Sequence, residues 1–230
     1  MIITIDGPSA SGKSSVARDV AHELHIFYIA SGYFFRGLAY ALMHTRSYNQ
    51  DTIPNASQKD IAYCLDPVRF DYMYDVADGE HIIINGIDCT KELKTPVIDK
   101  GASLLGTNIV ARSHIVTYIR SLAQRHDIVI DGRDCGSVMF PHAQYKIFLT
   151  ASVEVRAQRW QAMQLKSNIL IDVAKAMEII SERDARDSTR VIAPLIIPDG
   201  AIFIDSSHLD QKQVLDLILK YVHAQKEGEA

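Results

Sequence analysis

Cysteine is scarce in this chain, with only Cys64, Cys89 and Cys135 among 230 residues. An odd and sparse set of thiols gives no disulfide framework and favours a reducing compartment. The sequence also lacks an apolar run near the roughly 20 residues that span a bilayer. Its N-terminus carries Asp6 and no basic segment, so it does not resemble a secretory signal peptide. We therefore expect a cytoplasmic protein without membrane association.

An excess of basic residues is missing as well. The chain has 24 Lys and Arg against 28 Asp and Glu, a formal net charge of -4. DNA-binding domains usually show a basic excess, so a nucleic-acid polymer is not an expected partner, although a local basic pocket for a small anion remains compatible with this charge. At 47% hydrophobic residues, the composition excludes disordered and fibrous classes.

Short apolar runs interleaved with helical patterns predict a doubly wound α/β fold with a parallel sheet. The strand-like runs are residues 1–6, 26–30, 127–131, 145–149 and 201–205. The helical patterns lie near residues 13–24, 32–45, 97–125, 152–164, 171–187 and 209–225. Two turn signals, Asp78-Gly79 and Asn85-Gly86, instead indicate a small antiparallel insert between residues 68 and 90.

A phosphate-binding loop is the most specific motif in the sequence. The segment Gly7-Pro8-Ser9-Ala10-Ser11-Gly12-Lys13-Ser14 matches G-x-x-x-x-G-K-[ST] in full, between a predicted strand and a predicted helix. Glycines let backbone N–H groups turn toward phosphate oxygens, and the helix adds the positive end of its dipole. The motif predicts a nucleoside triphosphate with Mg²⁺, in which Lys13 reaches the β- and γ-phosphates and Ser14 ligates the metal. A Gly/Ser turn that only links strand to helix is the disfavoured alternative.

A second anion site would separate a kinase from the other users of such a loop. Arginine suits bidentate phosphate contacts, and it recurs in the segments expected to face the loop. These arginines are Arg36, Arg112, Arg133, Arg156, Arg159, Arg183, Arg186 and Arg190. Any one of them could equally be a solvated surface residue. An N-K-x-D motif for guanine is missing, so a small-molecule phosphotransferase is favoured over a GTPase.

The order and spacing of several motifs resemble the bacterial cytidylate kinases over nearly the whole chain. The motifs are IDGPSASGKSS (5–15), SGYFFRGLAYAL (31–42), DGRDCGSVMFPHA (131–143), KIFLTASVEVRAQR (146–159), ERDARDSTRVIAPL (182–195) and IDSSHL (204–209). The resemblance implies an enzyme that transfers the γ-phosphate of ATP to CMP or dCMP, giving ADP and the diphosphate. It also implies a monomer.

The same resemblance implies a three-layer fold of the phosphate-loop NTPase type with a five-stranded parallel sheet. A single domain of residues 1–230 would contain three parts. The expected core is residues 1–30, 97–160 and 189–230, the insert that binds the nucleoside monophosphate is about 31–96, and a helical lid is about 160–188.

The resemblance implies two sets of ATP contacts and one catalytic group. The ATP contacts are the loop residues Gly7, Pro8, Ser9, Ala10, Ser11, Gly12, Lys13, Ser14 and Ser15, together with Arg156 and Arg159. The residues expected to stabilise charge on the transferred group are Lys13, Arg133 and Arg159. Asp131, at a strand end, is a candidate to hold Mg²⁺ through a water molecule, with a purely structural carboxylate as the alternative.

The resemblance also implies the contacts to CMP. Ser103, Arg112 and Asp134 match residues that read cytosine, and Arg183 and Asp187 match residues that hold the sugar. Around the acceptor phosphate, the matching residues are Ser31, Arg36, Arg133 and Arg190. Cytosine offers an amine donor and two acceptors, so a carboxylate and a guanidinium can discriminate it from other bases.

Two departures from the family pattern keep other functions in view. The chain has Ala30 where the family usually has Asp, and Trp160 where it usually has Arg. A related kinase with shifted specificity, such as one that favours UMP, is one alternative hypothesis. A degenerate nucleotide-binding protein that regulates a partner is another, although the intact lysine, serine and arginine set argues against it.

Overall fold

The computed structural model describes residues 1–166 and 168–228, with side chains up to residue 225. The strands in this part of the chain are β1 (Ile2–Asp6), β2 (Phe27–Ala30), β3 (Phe70–Asp75), β4 (Gly79–Ile84), β5 (Ile87–Asp88), β6 (Ile128–Gly132), β7 (Tyr145–Thr150) and β8 (Ile202–Asp205). The α-helices are α1 (Lys13–Leu24), α2 (Ser31–Thr45), α3 (Gln58–Cys64), α4 (Pro96–Leu105), α5 (Ile109–Ala123), α6 (Val153–Lys166), α7 (Val173–Thr189) and α8 (Gln211–Gly228).

The main sheet has five strands in the order β2-β6-β1-β7-β8. β1 runs parallel to both β6 and β7, and β7 runs parallel to β8. Along β1, Ile3 and Ile5 are fully buried, and so are the intervening Thr4 and Asp6. Burial on both faces is typical of a parallel sheet covered by helices. The predicted α/β class and five-stranded sheet are therefore confirmed.

The chain forms two compact units, residues 1–26 with 128–230, and residues 27–127. The first contains the phosphate-loop motif, and the second contains the antiparallel sheet β3-β4-β5. The finer division predicted from the sequence, into a core, an insert of about 31–96 and a lid of about 160–188, stays a prediction.

Within the second unit, the hydroxyl of Tyr72 ties β3 to β2. It accepts a hydrogen bond from the backbone N–H of Ala30 at 3.0 Å and donates one to the carbonyl of Tyr28 at 3.1 Å. On α2, a Cβ added to Gly37 would lie 2.7 Å from the ring of Phe70. Only a residue without a side chain allows this close approach of helix and strand.

The turn signals of the antiparallel sheet are located almost as predicted. Asn85 and Gly86 both have positive φ angles, as a two-residue hairpin turn requires, and β5 pairs with β4 across them. The first turn differs, because Asp75 pairs with Gly79 and residues 76–78 form the connection. Gly79, with φ of 88°, therefore closes a three-residue loop and is not part of a two-residue turn.

The single helix predicted over residues 97–125 is wrong, because the chain breaks between α4 and α5. Asn108 caps α5, its side-chain oxygen accepting from the N–H groups of Val110 at 2.9 Å and Ala111 at 3.0 Å. Its amide nitrogen donates to the carbonyls of Pro54 at 3.0 Å and Ala56 at 3.2 Å. One side chain thus satisfies both a helix start and a neighbouring loop, which a continuous helix could not do.

In the predicted lid segment, α6 and α7 pack on each other around Ala157, Ala176 and Ile180, all nearly inaccessible to solvent. Trp160 packs against this cluster, so the residue that replaces a family arginine has a structural role here. None of the helices described is both long and apolar enough to cross a membrane.

Replacing Asn108 tests the break between α4 and α5. We expect Asn108→Ala to lower the free energy of unfolding by about 1–3 kcal/mol, because it removes a helix cap and two donors to loop carbonyls. Asn108→Asp keeps the cap and loses the donors, so its loss should be smaller. Urea unfolding of the three proteins measures both effects, and an Asn108→Ala protein as stable as the wild type would refute this role.

Candidate active site

The phosphate loop follows β1 directly and depends on unusual backbone angles. A Cβ on Gly7 would lie 2.0 Å from the carbonyl oxygen of Leu149, so no other residue fits there. Ala10 and Gly12 have φ angles of 58° and 93°, in the left-handed region. In general, a loop that enters that region turns successive N–H groups toward one point, the geometry of an anion-binding nest, and this loop leads into the start of α1.

Lys13 lies inside this loop. Its ammonium group donates to the carbonyl of Pro8 at 2.6 Å and to the hydroxyl of Ser11 at 3.2 Å. Burial lowers its pKa well below the ordinary value, and the neighbouring Arg133 lowers it further. The nearby carboxylates of Asp131 and Asp184 act in the opposite direction. A nearby anion such as a phosphate would stabilise the charged form of a desolvated lysine.

Ser14 and Asp131, the two residues predicted to hold Mg²⁺, lie side by side. The Ser14 hydroxyl donates to the carboxylate of Asp131 at 2.8 Å, and Asp131 is buried near the end of β6. A hydroxyl next to a carboxylate fits Mg²⁺, which prefers oxygen ligands and takes the others from phosphates and water. No group of three or more His, Cys, Asp or Glu that could hold a metal occurs in the residues described, so nucleotide and water would have to complete the coordination.

Two arginines of α6 also contact the loop. Arg156 donates to the carbonyl of Ser9 at 3.1 Å and to that of Ala151 at 2.9 Å. Arg159 reaches the carbonyl of Ser11 at 3.4 Å and the hydroxyl of Ser206 at 2.9 Å. Burial lowers the pKa of Arg159. The structure therefore brings both predicted ATP-binding arginines to the loop.

Four of the five residues predicted to contact CMP from the first unit, Arg133, Asp134, Asp187 and Arg190, form one network of charges. Arg133 donates to the carboxylate of Asp187 at 2.8 Å and to the hydroxyl of Ser9 at 3.1 Å. Arg190 contacts Asp134 at 3.2 Å and Asp187 at 3.6 Å. Despite the cost of burial, the carboxylates of Asp187, Asp184 and Asp131 hold the pKa of Arg133 above its usual value.

The segment that carries Arg133 and Asp134 is held by Asp6, which the sequence analysis did not single out. The fully buried carboxylate of Asp6 accepts from the N–H groups of Cys135 at 2.8 Å and Gly136 at 2.6 Å. Burial raises the pKa of Asp6 to about 6, against the opposing effect of these two hydrogen bonds. The side chain of Asp6 therefore links the end of β1, directly before the loop, to the segment after β6.

The other predicted contacts to CMP belong to the second unit. Ser31 is buried at the start of α2, and Ser103 is half-buried on α4. Arg36 forms an ion pair with Asp99, 2.6 Å apart. Arg112 is buried, donates to the carbonyl of Gly106 at 3.3 Å and lies 5.3 Å from the ring centroid of Phe35.

The sequence analysis missed two carboxylates that pair with predicted phosphate-binding arginines. Asp184 pairs with Arg156, and Asp99 pairs with Arg36. Asp184 stands next to Arg183 in the motif at residues 182–195, so its place in that motif could have indicated a role in the site. Nothing in the local pattern around Asp99 indicates its role.

Comparison with known proteins gives one family. The sequence profile described as "Cytidylate kinase" matches residues 3–224. The cytidylate kinase of Stutzerimonas stutzeri is 39% identical over 222 residues, covering 96% of this chain and 94% of that protein. That of Caldanaerobacter subterraneus subsp. tengcongensis is 32% identical over 228 residues, covering 99% and 96%.

A solved structure agrees on the fold alone. The crystal structure of an uncharacterized protein from Eubacterium ventriosum superposes with a TM-score of 0.52 and 16% identity. The match covers 97% of this chain and 98% of the other. It therefore extends across both compact units of the chain.

The buried carboxyl of Asp6 predicts a particular dependence of stability on pH. Its pKa is about 6 in the folded protein and about 3.9 in an unfolded chain. The folded state thus binds the extra proton between these values, so stability falls as pH rises from about 4 to about 6, by about 3 kcal/mol in all. Asp6→Asn should abolish this contribution.

The measurement is urea unfolding of wild type and Asp6→Asn from pH 4 to pH 7. Asp216→Asn, an exposed position on α8, provides a control with the same change of charge. The difference between wild type and Asp6→Asn should depend on pH, and the difference between wild type and the control should not. Parallel profiles for all three proteins would show that Asp6 does not titrate in this range.

Proposed function

Because the chain belongs to the cytidylate kinase family, we propose that it transfers the γ-phosphate of ATP to CMP and dCMP. The products are ADP and the corresponding diphosphate. Phosphoryl transfer needs positioning and charge neutralisation more than covalent catalysis, and the acceptor phosphate oxygen is already an anionic nucleophile. No general base is required.

The observation that carries this proposal is the bridge made by Arg133. One guanidinium contacts Ser9 of the phosphate loop and Asp187 of α7 at the same time. Asp187 is also near Arg190, which contacts Asp134. The residues assigned to ATP and several of those assigned to CMP are therefore parts of one hydrogen-bonded network, as a transfer between two phosphates requires.

We assign the donor side as follows. Residues 7–15, through the backbone N–H groups of all of them except Pro8, and the guanidinium groups of Arg156 and Arg159 bind the ATP phosphates. Lys13, Arg133 and Arg159 stabilise negative charge on the transferred phosphoryl group. Support comes from the contacts of these cations with Ser9, Ser11 and Pro8, all within the loop.

We assign the metal site to Ser14 and, through water, to Asp131. Their hydroxyl and carboxylate oxygens are neighbours, as Mg²⁺ ligands need to be. When bound, Mg²⁺ neutralises charge on the ATP phosphates. The carboxylate of Asp131 otherwise orients the hydroxyl of Ser14 at the start of α1.

We assign the acceptor side from the match to the family motifs. Ser103, Arg112 and Asp134 read cytosine. Arg183 and Asp187 hold the sugar. The acceptor phosphate is bound by the remaining residues of the set, Ser31, Arg36, Arg133 and Arg190. The support is their match to the family motifs and the ion pairs that keep Arg36, Arg133 and Arg190 in place.

The same proposal includes a lid of about residues 160–188, which would exclude water during transfer and so prevent hydrolysis of ATP. It also includes a monomer, located in the cytoplasm. Cys64, Cys89 and Cys135 form no disulfide bond, which is compatible with a reducing compartment.

Two residues that depart from the family pattern motivate the second candidate, a kinase with shifted specificity. Ala30 lies next to the start of α2, and its N–H is used by Tyr72. The family carboxylate is missing at this position, so selectivity for the sugar or the base could differ from that of relatives. Trp160 favours this candidate less, because it packs between α6 and α7.

A panel of acceptors tests the proposed function. Release of ADP in a coupled assay is measured with CMP, dCMP, UMP and AMP. We expect the highest kcat/KM for CMP and dCMP, because buried polar groups arranged for cytosine are left unpaired by another base. A preference for UMP would favour the second candidate, and absence of turnover with every acceptor would refute both.

A variant of Asp134 makes the same experiment sharper. Asp134→Asn replaces an acceptor that suits the cytosine amine with an amide that can also donate. The ratio of kcat/KM for CMP over UMP should fall at least about tenfold. Lys212→Ala, an exposed position on α8, should leave the ratio unchanged.

Lys13 tests the catalytic assignment. We expect Lys13→Ala to lose about 3–5 kcal/mol of transition-state stabilisation, because a buried cation aimed at the phosphates is removed. The value is obtained from kcat/KM for ATP at saturating CMP, with Lys212→Ala again as the control. Near-wild-type turnover in Lys13→Ala would contradict the mechanism.

A further inference from the structure

One carboxylate lies where the phosphate loop would be expected to hold an anion. The Oδ1 atom of Asp184 on α7 accepts a hydrogen bond from the backbone N–H of Ser9, with an N–O distance of 2.8 Å. Its Oδ2 atom pairs with the guanidinium of Arg156. Side-chain exposure is only 16% for Asp184 and 10% for Arg156, so the pair is largely withdrawn from water.

The partners of Asp184 are groups that suit a phosphate. A loop N–H and a guanidinium hold the two oxygens of the carboxylate, as they would hold two oxygens of a phosphoryl group. Asp184 also raises the pKa of both Lys13 and Arg133 through its charge. Asp184 therefore interacts electrostatically with three of the cations that the proposed function assigns to the loop, namely Lys13, Arg133 and Arg156.

We propose that the carboxylate of Asp184 competes with the donor phosphates for the loop. In the free protein, its carboxylate satisfies the N–H of Ser9 and holds Arg156 beside the loop. Binding of the triphosphate exchanges one anion for another at these groups, and Asp184 moves away. This inference rests on the proposed function in one respect, that the loop binds the phosphates of ATP.

The position of Asp184 in the chain gives this exchange a consequence. It lies on α7 next to Arg183 and one helical turn before Asp187, two residues assigned to the sugar of the acceptor. Displacement of Asp184 by ATP would act on the helix that carries both. Because Arg133 connects Asp187 to Ser9, the same segment is sensitive to occupancy of the loop.

The alternative is that Asp184 only holds Arg156 in place for ATP. The two roles predict opposite effects of the same substitution. Asp184→Asn keeps an oxygen for the N–H of Ser9 and removes the charge that repels a phosphate. If Asp184 competes with ATP, its replacement strengthens ATP binding. If Asp184 only positions Arg156, the same replacement weakens ATP binding.

The experiment measures ATP binding by calorimetry without CMP and the KM for ATP at saturating CMP. We expect the Kd for ATP and the KM for ATP each to fall about tenfold in Asp184→Asn, a typical size for a coupling between sites. The KM for CMP should change less than threefold. Asp184→Glu should return the values toward wild type. Asp184→Ser, which also removes the charge, gives the same direction if Asp184→Asn folds poorly.

Glu182→Gln is the matched control, since it removes one negative charge from an exposed position two residues away. An equal gain in ATP affinity in this control would reduce the effect to general electrostatics and overturn the inference. Unchanged or weaker ATP binding in Asp184→Asn and Asp184→Ser would overturn it too. Failure of the proposed function is distinguishable, because it would appear as absence of CMP phosphorylation in the wild type.

Discussion

Burial of the ammonium group of Lys13 sets the electrostatic conditions for everything around the phosphate loop. A cation withdrawn from water is costly unless hydrogen bonds and opposite charges compensate it. Here two loop oxygens accept its hydrogen bonds, and three aspartates lie near enough to act on its charge. The arginines that approach the same loop add to the positive charge, and two of them are paired with a carboxylate, Arg133 with Asp187 and Arg156 with Asp184. Arg190, in the same network as Arg133, is paired with Asp134.

The second unit follows the same rule independently, with Arg36 paired to Asp99. A cluster of arginines prepared for phosphate would destabilise the free protein if it had no internal anions. Carboxylates stabilise the free state, and an incoming phosphate replaces some of them with little additional desolvation. The balance between the internal carboxylates and the incoming phosphate then sets the affinity for the phosphate. A chain with a net charge of -4 can therefore contain a concentrated site for anions.

Local sequence was sufficient for the parts of the structure that depend on local chemistry. Strand runs, the phosphate loop and the turn at Asn85-Gly86 each need particular residue types at particular positions. The break at Asn108 was missed because apolar periodicity continues through it, while its partners, Pro54 and Ala56, are more than fifty residues away. The role of Asp99 was missed for the same reason, since its ion pair with the distant Arg36 leaves no pattern in the sequence around the carboxylate. Asp184 lies within a recognised motif, but the motif does not indicate its pairing with Arg156.

The network around the loop also constrains how the reaction can proceed. Asp6 fixes the segment after β6 by two backbone hydrogen bonds, and Arg133 of that segment reaches back to Ser9. Under the proposed assignment, a phosphoryl group that moves from donor to acceptor stays within reach of one set of cations, and the total negative charge near them does not change. A carboxylate that remained among these groups would repel the charge on the transferred phosphoryl. The anions of the free protein can stabilise the site before the nucleotides bind, but the one in contact with the loop must leave before phosphoryl transfer.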